Sequence, residues 1–405
     1  MAKRYKISAI GIALATLIVL PVLLSGEAAS LSAPLTLLLP LAAILTLLAA
    51  LSHETAPSDL LTLLIFLGLG LGFMIVPGKI GHLSLGGVFI VLILLLIRQK
   101  SRSRFSELWG VGLYGFALVM LIASLVSSPS TGRILLLLTY AVLLPTCPLH
   151  GASIVTFSRL GGILPNFFAL FLPALGLKGV LGILAELPPQ LMGIVSIFAL
   201  IGALYGGVRA LVQTHIRPRL AYAGLTFWSI LWWYLAGTGI GTAPAILYFC
   251  AIALTMQGLF LSGQVLETRH GDLDLNQLGG VARVMPRFGI LLSLLVAAAM
   301  GLPLFGSFTA LFAMATSPEI TLSWGVAVVL LAWLLASWHF PLFMQRILLG
   351  PAKPGRIYRD LVPSETLSLT LIVAMIVILG IAPDALFGPE FSLQQSLVVH
   401  DAKPR

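Results

Sequence analysis

The chain has 405 residues, of which 59% are apolar and 9% are charged, and its formal net charge is +9. Soluble domains carry about 25% charged residues, so this composition excludes a water-soluble enzyme, a nucleic-acid-binding protein and a disordered chain. It predicts a polytopic membrane protein embedded in a lipid bilayer, with the basic residues setting its orientation.

A transmembrane helix needs roughly 20 predominantly apolar residues, and about thirteen segments of the chain satisfy this requirement. In chain order, the predicted spans are 7–25, 32–51, 60–77, 82–98, 108–127, 133–149, 163–185, 189–212, 220–238, 243–265, 288–315, 322–348 and 366–388. The connections are short, which predicts no inserted soluble domain. Residues 1–29 are interpreted as a retained first helix, because their apolar run is longer than that of a typical signal peptide.

Basic residues are distributed unevenly between alternate loops. Seventeen of the 23 Lys and Arg residues lie in segments on the same side as the N-terminus, whereas four lie on the opposite side. Because loops rich in Lys and Arg stay in the cytoplasm, we expect a cytoplasmic N-terminus, an external C-terminus and a location in the cytoplasmic (inner) membrane. The longest polar stretches, 266–287 and 346–365, are candidate cytoplasmic docking surfaces.

Prolines interrupt several predicted spans, and we interpret them as helix breaks. A proline removes a backbone donor from the helix, and the freed carbonyl is tolerated in a membrane only against protein or a wet cavity. The predicted breaks are at Pro145, Pro148, Pro165, Pro173 and Pro303. A kink that only serves packing is the alternative for any one proline, but paired breaks in spans seven and eleven favour a transporter fold of two related halves.

Lys178 lies deep in the apolar segment FFALFLPALGLKGVLGIL, and the nearest acid, Glu186, is eight residues further on. A lysine near the bilayer centre costs on the order of 3 kcal/mol and should face the protein interior, where its amine can serve in proton transfer. The alternative is a lysine that extends to the interface. The distance of Lys178 from both ends of its span disfavours that alternative.

Three further polar residues have less specific interpretations. Arg209 lies nearer to the end of its span and is expected to extend to the interface. His339 is typical of a packed core histidine. His150 is expected at the mouth of span six, where it is either a neutral interfacial residue or a group that passes protons to a relay.

The sequence predicts neither a bound cofactor nor a metal site. Cys147 and Cys250 both lie in apolar runs and form no CxxC pair or zinc spacing. The spans contain no pair of His or carboxylate residues at helical spacing, and the chain has no P-loop or dinucleotide-binding motif. If electrons are involved, partner subunits must carry them.

Several segments match a known family in the order in which they occur. The segment LLPTCPLHGA (143–152) contains a P-x-x-P-L-H pattern, Pro165 stands thirteen residues before Lys178, and GLPLFGSF is found at 301–308. Two further matching segments are LYGGVRALVQTHIRPRLAYAGLTFWSI (204–230) and GLFLSGQVLETRHGDLDLNQLGGVARVMP (258–286). The chain therefore resembles the antiporter-like membrane subunits of respiratory complex I, a family that includes Mrp sodium/proton antiporter and membrane-bound hydrogenase subunits.

The resemblance implies an all-α transmembrane bundle with broken helices in two related halves. It implies N-terminal helices over 1–130, an antiporter-like core over 131–390 and a C-terminal tail over 391–405. The family's broken seventh helix carries a lysine that is central to proton transfer, and Lys178 matches it. The expected proton path comprises Lys178, His150, Tyr205, Thr146 and bound water.

The chain also departs from the family pattern. The carboxylate that pairs with the family's lysine falls near Ser84, and the charged residue after the later broken helix falls at Leu311. The family's mid-membrane histidine falls near Ile252, and the Asp before its basic pair is His215. The row of charges that would carry protons across the subunit is therefore reduced.

Two functions are compatible with this pattern. The first is a proton-translocating subunit of a complex I-like or Mrp-like assembly, with other membrane subunits and a cytoplasmic-side redox or carbon-handling subunit as partners. The second is a non-pumping scaffold that anchors such a partner in the membrane, and the missing carboxylates favour it. An intramembrane enzyme is disfavoured because the external loops are short and nearly free of acids.

Overall fold

The computed structural model describes most of the chain, but not its two ends. The described residues are 33–51, 57–99, 104–271, 274–275, 278–317, 320, 324–350 and 359–383. The predicted first span at 7–25 and the predicted tail at 391–405 lie outside them.

The predicted all-α transmembrane class is confirmed. The described residues form fifteen α-helices, a short 3₁₀ turn at Leu184–Glu186 and no β-sheet. The helices are α1 (Ala33–Ala50), α2 (Pro57–Ile75), α3 (Gly78–Arg98), α4 (Arg104–Val126), α5 (Pro129–Leu143), α6 (Gly151–Arg159), α7 (Leu164–Leu181), α8 (Pro189–Val212), α9 (Ile216–Thr238), α10 (Ala243–His270), α11 (Val281–Val284), α12 (Pro286–Met300), α13 (Gly306–Ala315), α14 (Trp324–Leu348) and α15 (Pro363–Ile381).

Eight of these helices are long and apolar enough to cross a membrane. Four shorter apolar helices are α1, α5, α12 and α13. Two of the predicted spans are helical over only part of their length. Span 133–149 ends as a helix at Leu143, and span 288–315 consists of α12 and α13.

Prolines have two different roles in these helices. Pro145 and Pro148 lie in the non-helical segment 144–150 between α5 and α6, and Pro303 lies between α12 and α13. Pro165 is the second residue of α7, a position at which a helix does not need the missing N–H. The interpretation of Pro165 as a break within a helix is therefore corrected, because this proline begins α7.

Pro173 is a second correction. It lies inside α7, which continues through it as one helix. Loss of one backbone hydrogen bond is tolerated here because α7 is enclosed by α1, α2, α5 and α10. Helix α7 thus has no interruption where span seven was predicted to break, whereas the non-helical segment 144–150 contains Pro145 and Pro148, predicted as breaks in span six.

The core of the bundle surrounds α7 and α10. Every residue from Ala245 to Leu266 in α10 is buried. In α7, every residue from Leu164 to Val180 is buried except Lys178, which is partly exposed. The basic side chain predicted from the sequence thus lies in one of the two most enclosed helices of the molecule.

Candidate functional site

Lys178 lies near the end of α7, where this helix passes α5 at very short range. An ideal Cβ at Gly176 would stand 2.5 Å from the backbone nitrogen of Leu144, and one at Gly179 would overlap the ring of Tyr140. Glycine at both positions therefore permits the contact. Since residue 176 faces 144 and residue 179 faces 140, the two helices are antiparallel, and Lys178 is level with the end of α5.

The face of α7 that carries Lys178 is turned toward α2. Phe171, seven residues earlier, packs edge-to-face on Phe66 of α2, with ring centroids 5.8 Å apart. Residues seven apart share a helix face and are about 10 Å apart along the axis. Phe66 also packs on Phe168, with ring centroids 4.8 Å apart, and Gly70 lies against Phe171, so α2 and α7 run parallel and Lys178 lies near the last turn of α2, which carries Phe73.

Phe73 contacts two polar side chains that the sequence reasoning missed. Its ring centroid is 6.1 Å from that of Tyr140 and 6.2 Å from that of His82. The hydroxyl of Tyr140 is 3.1 Å from Nε2 of His82. The two residues lie in separate apolar helices, α3 and α5, and the sequence gave no signal that they meet.

The segment 144–150 holds two of the predicted path residues. Thr146 is buried, and its hydroxyl has no hydrogen-bond partner within the described part of the chain. The ring of His150 lies 5.3 Å from that of Tyr205, a residue of α8 that is 39% exposed. Nδ1 of His150 is buried and also without a partner among the described residues. The structure thus brings His150 and Tyr205 together.

Further polar side chains lie next to this segment, between α8 and α9. An ideal Cβ at Gly202 would stand 3.2 Å from Cβ of Cys147 and 2.6 Å from the hydroxyl of Ser229. One at Gly206 would stand 2.7 Å from the hydroxyl of Thr226. Both hydroxyls are buried and lack a partner in the described segments. Buried polar groups of this kind are normally satisfied by ordered water.

Leu144 lies between Lys178 and the contact of His150 with Tyr205. The amide of Leu144 lies against Gly176 of α7, two residues before Lys178. Its carbonyl accepts a hydrogen bond from Nε1 of Trp232 at 2.9 Å. Thr146 follows two residues later, so the non-helical segment extends from the level of Lys178 to the contact of His150 with Tyr205.

The remaining predicted polar residues have structural surroundings. Arg209 is exposed, with its guanidinium 5.3 Å from the ring centre of Tyr222. His339 is buried beside Phe340, as expected for a core histidine. The hydroxyl of Ser84 bonds within its own helix, to the carbonyl of Ile80.

Most of the described carboxylates lie at helix ends or in the connections between helices. The acidic residues whose side chains are described are Asp59, Glu186, Glu267, Asp274, Asp360 and Glu365. Ion pairs are formed by Arg133 with Glu186, by Arg217 with Glu267 and by Arg269 with Glu365. Across the described ranges, no cluster of three or more His, Cys, Asp or Glu residues could hold a metal ion.

A family described as NADH:quinone oxidoreductase/Mrp antiporter, transmembrane, matches residues 116–337, which is more than half of the chain. The chain belongs to this family. The matched residues include the non-helical segments 144–150 and 301–305, as well as Lys178, His150 and Tyr205. The resemblance inferred from the sequence motifs is therefore confirmed, and this antiporter-family chain is a multi-pass membrane protein.

Individual relatives support the same assignment. The chain is 26% identical over 259 residues to F(420)H(2) dehydrogenase subunit M of Methanosarcina mazei, covering 62% of this chain and 49% of the relative. It is 28% identical over 198 residues to NADH-quinone oxidoreductase subunit M of Mycobacterium tuberculosis, covering 46% and 34%. This antiporter-family chain spans about half the length of the first of these relatives, and the second is matched over about a third of its length.

Solved structures share the fold over nearly the whole chain. A chain of respiratory complex I from Thermus thermophilus superposes with a TM-score of 0.76 at 22% identity, covering 91% of this chain and 84% of that one. A chain of the Mrp complex from Dietzia sp. superposes with a TM-score of 0.79 at 14% identity, covering 98% and 94%. Both neighbours are members of multi-subunit membrane complexes.

Proposed function

We propose that this chain is a proton-translocating membrane subunit of a complex I-like or Mrp-like assembly, with a reduced proton path centred on Lys178. One observation carries the proposal. Lys178 is the only residue between Leu164 and Val180 that is not buried, and the chain belongs to an antiporter family. Ionisable residues within membrane spans are rare and line ion pathways or water-filled cavities.

The unpartnered polar atoms near Leu144 support a hydrated path on one side of Lys178. Thr146, His150 and Tyr205 are the protein groups of this path, and bound water connects them. Water is required because a proton moves only between groups within hydrogen-bonding distance, directly or through one water. The neighbouring hydroxyls of Thr226 and Ser229 offer further positions for such water.

The distribution of basic residues supports a cytoplasmic N-terminus and an external C-terminus in the inner membrane. Successive long helices alternate in direction, which places most basic residues of the described chain at one end of the bundle. This end carries Arg98, Arg159, Arg217, Arg269, Arg283, Arg287, Arg346 and Arg359. The other end carries Lys79 and Arg133. The basic end is assigned to the cytoplasm by the positive-inside rule.

Two polar stretches at the basic end meet and form one surface. Arg269 donates hydrogen bonds to the carbonyls of Arg359 and Asp360 and to the carboxylate of Glu365. The exposed basic residues of this surface are Arg283, Arg287, Arg346 and Arg359. We propose it as the docking site of a cytoplasmic redox or carbon-handling subunit with an acidic face, while other membrane subunits contact the apolar flanks.

The test replaces Lys178 in the intact assembly reconstituted into vesicles. Lys178→Met removes the amine, and Lys178→Arg keeps the positive charge on a group that does not deprotonate in proteins. Both variants should lower proton flux about tenfold or more, with normal subunit content. Lys79→Met is the matched control, because Lys79 is exposed at the beginning of α3, and its flux should equal that of the unmodified assembly.

A non-pumping scaffold is the second candidate, favoured by Ser84 and Leu311, which stand where the family pattern has charged residues. It predicts the opposite result. Lys178→Met would then reduce assembly or thermal stability, and any proton flux of the complex would persist in the correctly assembled fraction. Unchanged flux in both Lys178 variants rejects the proton-path function.

A further inference from the structure

The pair formed by His82 and Tyr140 has a defined protonation pattern. Nδ1 of His82 is 2.9 Å from the carbonyl oxygen of Gly78, and Nε2 is 3.1 Å from the Tyr140 hydroxyl. A carbonyl only accepts hydrogen bonds, so the neutral ring carries its proton on Nδ1. Nε2 is then the acceptor, and the hydroxyl of Tyr140 donates to it.

Tyr140 occupies the space between His82 and α7. Its side chain is 2% exposed, and its ring lies against Gly179, the residue after Lys178. The same ring contacts Phe73, a residue of the last turn of α2. Tyr140 therefore lies against the turn of α7 that carries Lys178.

His82 connects this buried hydroxyl to one end of the bundle. It is the fifth residue of α3 and is partly exposed, whereas Tyr140 is enclosed. Since α3, α4 and α5 form successive hairpins, α3 and α5 both begin at this end. The ion pair of Arg133 with Glu186 lies at the same end, which is opposite to the basic end.

We propose that His82 and Tyr140 are the protein groups of a second half of the proton path, from Lys178 to the end at which α3 and α5 begin. This rests on the proposed function of Lys178. The ammonium of Lys178 gives a proton to the Tyr140 oxygen while the hydroxyl proton passes to Nε2 of His82. The imidazolium then releases its Nδ1 proton to water at the helix end. Exchange of the remaining proton from Nε2 to Nδ1 through water, with rotation of the Tyr140 hydroxyl back toward Nε2, restores the starting state.

The two halves of the path differ in composition. Toward the basic end, the polar groups are Thr146, His150 and Tyr205 around a non-helical segment. Toward the other end, the proposed groups are Tyr140 on α5 and His82 on α3. A histidine and a tyrosine that exchange one proton along an existing hydrogen bond need no carboxylate.

The test measures proton flux of the reconstituted assembly. Tyr140→Phe retains the ring against Gly179 and removes only the hydroxyl, and it should lower flux about tenfold or more. The matched control is Tyr114→Phe, because Tyr114 is equally buried and its hydroxyl bonds to Thr156 at 2.8 Å, away from the proposed path. The control should retain full flux.

His82→Ala separates a proton-transfer role from a structural one. Its flux should fall, and imidazole added to the buffer should restore part of it, because His82 is partly exposed. Full flux in His82→Ala or Tyr140→Phe, or a loss that imidazole does not restore in an assembled His82→Ala complex, overturns the proposal. If either occurs while Lys178→Met abolishes flux, the proposed function stands and only the His82–Tyr140 route fails.

Discussion

The indole Nε1–H of Trp232, on α9, donates a 2.9 Å hydrogen bond to the carbonyl of Leu144, the residue that follows the end of α5. Trp333, on α14, makes the equivalent 2.9 Å bond to the carbonyl of Met300, the last residue of α12. Both interrupted segments are thus held by a tryptophan from a neighbouring helix. Each indole satisfies a carbonyl that the interruption frees, which a membrane interior requires.

Removal of one of these indole donors should destabilise the bundle without changing its surface. Trp232→Phe leaves the Leu144 carbonyl buried and unsatisfied, which costs about 1–3 kcal/mol. Thermal unfolding of the detergent-purified assembly should show a lower midpoint. Trp338→Phe is the control, because Trp338 is 65% exposed, and an equal loss in both variants would contradict the proposed role of Trp232.

The contact between α5 and α7 should not tolerate a methyl group. In Gly176→Ala, the new Cβ would stand 2.5 Å from the backbone nitrogen of Leu144, and such overpacking costs about 1–3 kcal/mol. Gly193→Ala is the matched control, because no atom lies within 4 Å of its Cβ position. This control should be neutral or gain up to about 1 kcal/mol from helix propensity. Melting temperatures of the two variants give the comparison.

Two ion pairs should differ sharply in their contribution to stability. The Arg269–Glu365 pair joins the end of α10 to the start of α15, and its side chains are 9% and 0% exposed. Glu365→Gln leaves a buried guanidinium without its counter-charge, a loss of about 3–5 kcal/mol.

The Arg133–Glu186 pair has side chains that are 36% and 53% exposed. Arg133→Gln should change stability by about 0–1 kcal/mol. Denaturation of both variants in the same detergent is the measurement. Similar losses for the two variants would show that burial does not set the strength of these pairs.

The orientation of the chain can be tested by labelling single cysteines. The background replaces the native thiols with Cys147→Ser and Cys250→Ala. A membrane-impermeant maleimide should label Lys79→Cys from outside intact cells, and Arg283→Cys only in inside-out vesicles, since both positions are exposed but lie at opposite ends of the bundle. The reverse pattern would place the N-terminus outside.

Helix locations could be predicted closely because hydrophobic length is a local property. Span 189–212 coincides with α8, and span 220–238 lies within α9. The predicted break in span seven was wrong, because local sequence shows where a proline lies but not how the surrounding helices support it. Pro173 is enclosed by neighbours and leaves α7 continuous, whereas Pro145 and Pro148 lie where the helix ends.

The sequence by itself determined that this is a membrane bundle, where its helices lie, and that Lys178 is an ionisable residue within an apolar span. Composition and residue order are sufficient for these conclusions. Only the tertiary structure decided which polar side chains of different helices meet. The contacts of His82 with Tyr140, and of His150 with Tyr205, join side chains 58 and 55 positions apart. Such contacts depend on how helices pack against one another, because periodicity within a helix assigns a face but not the partner that it meets.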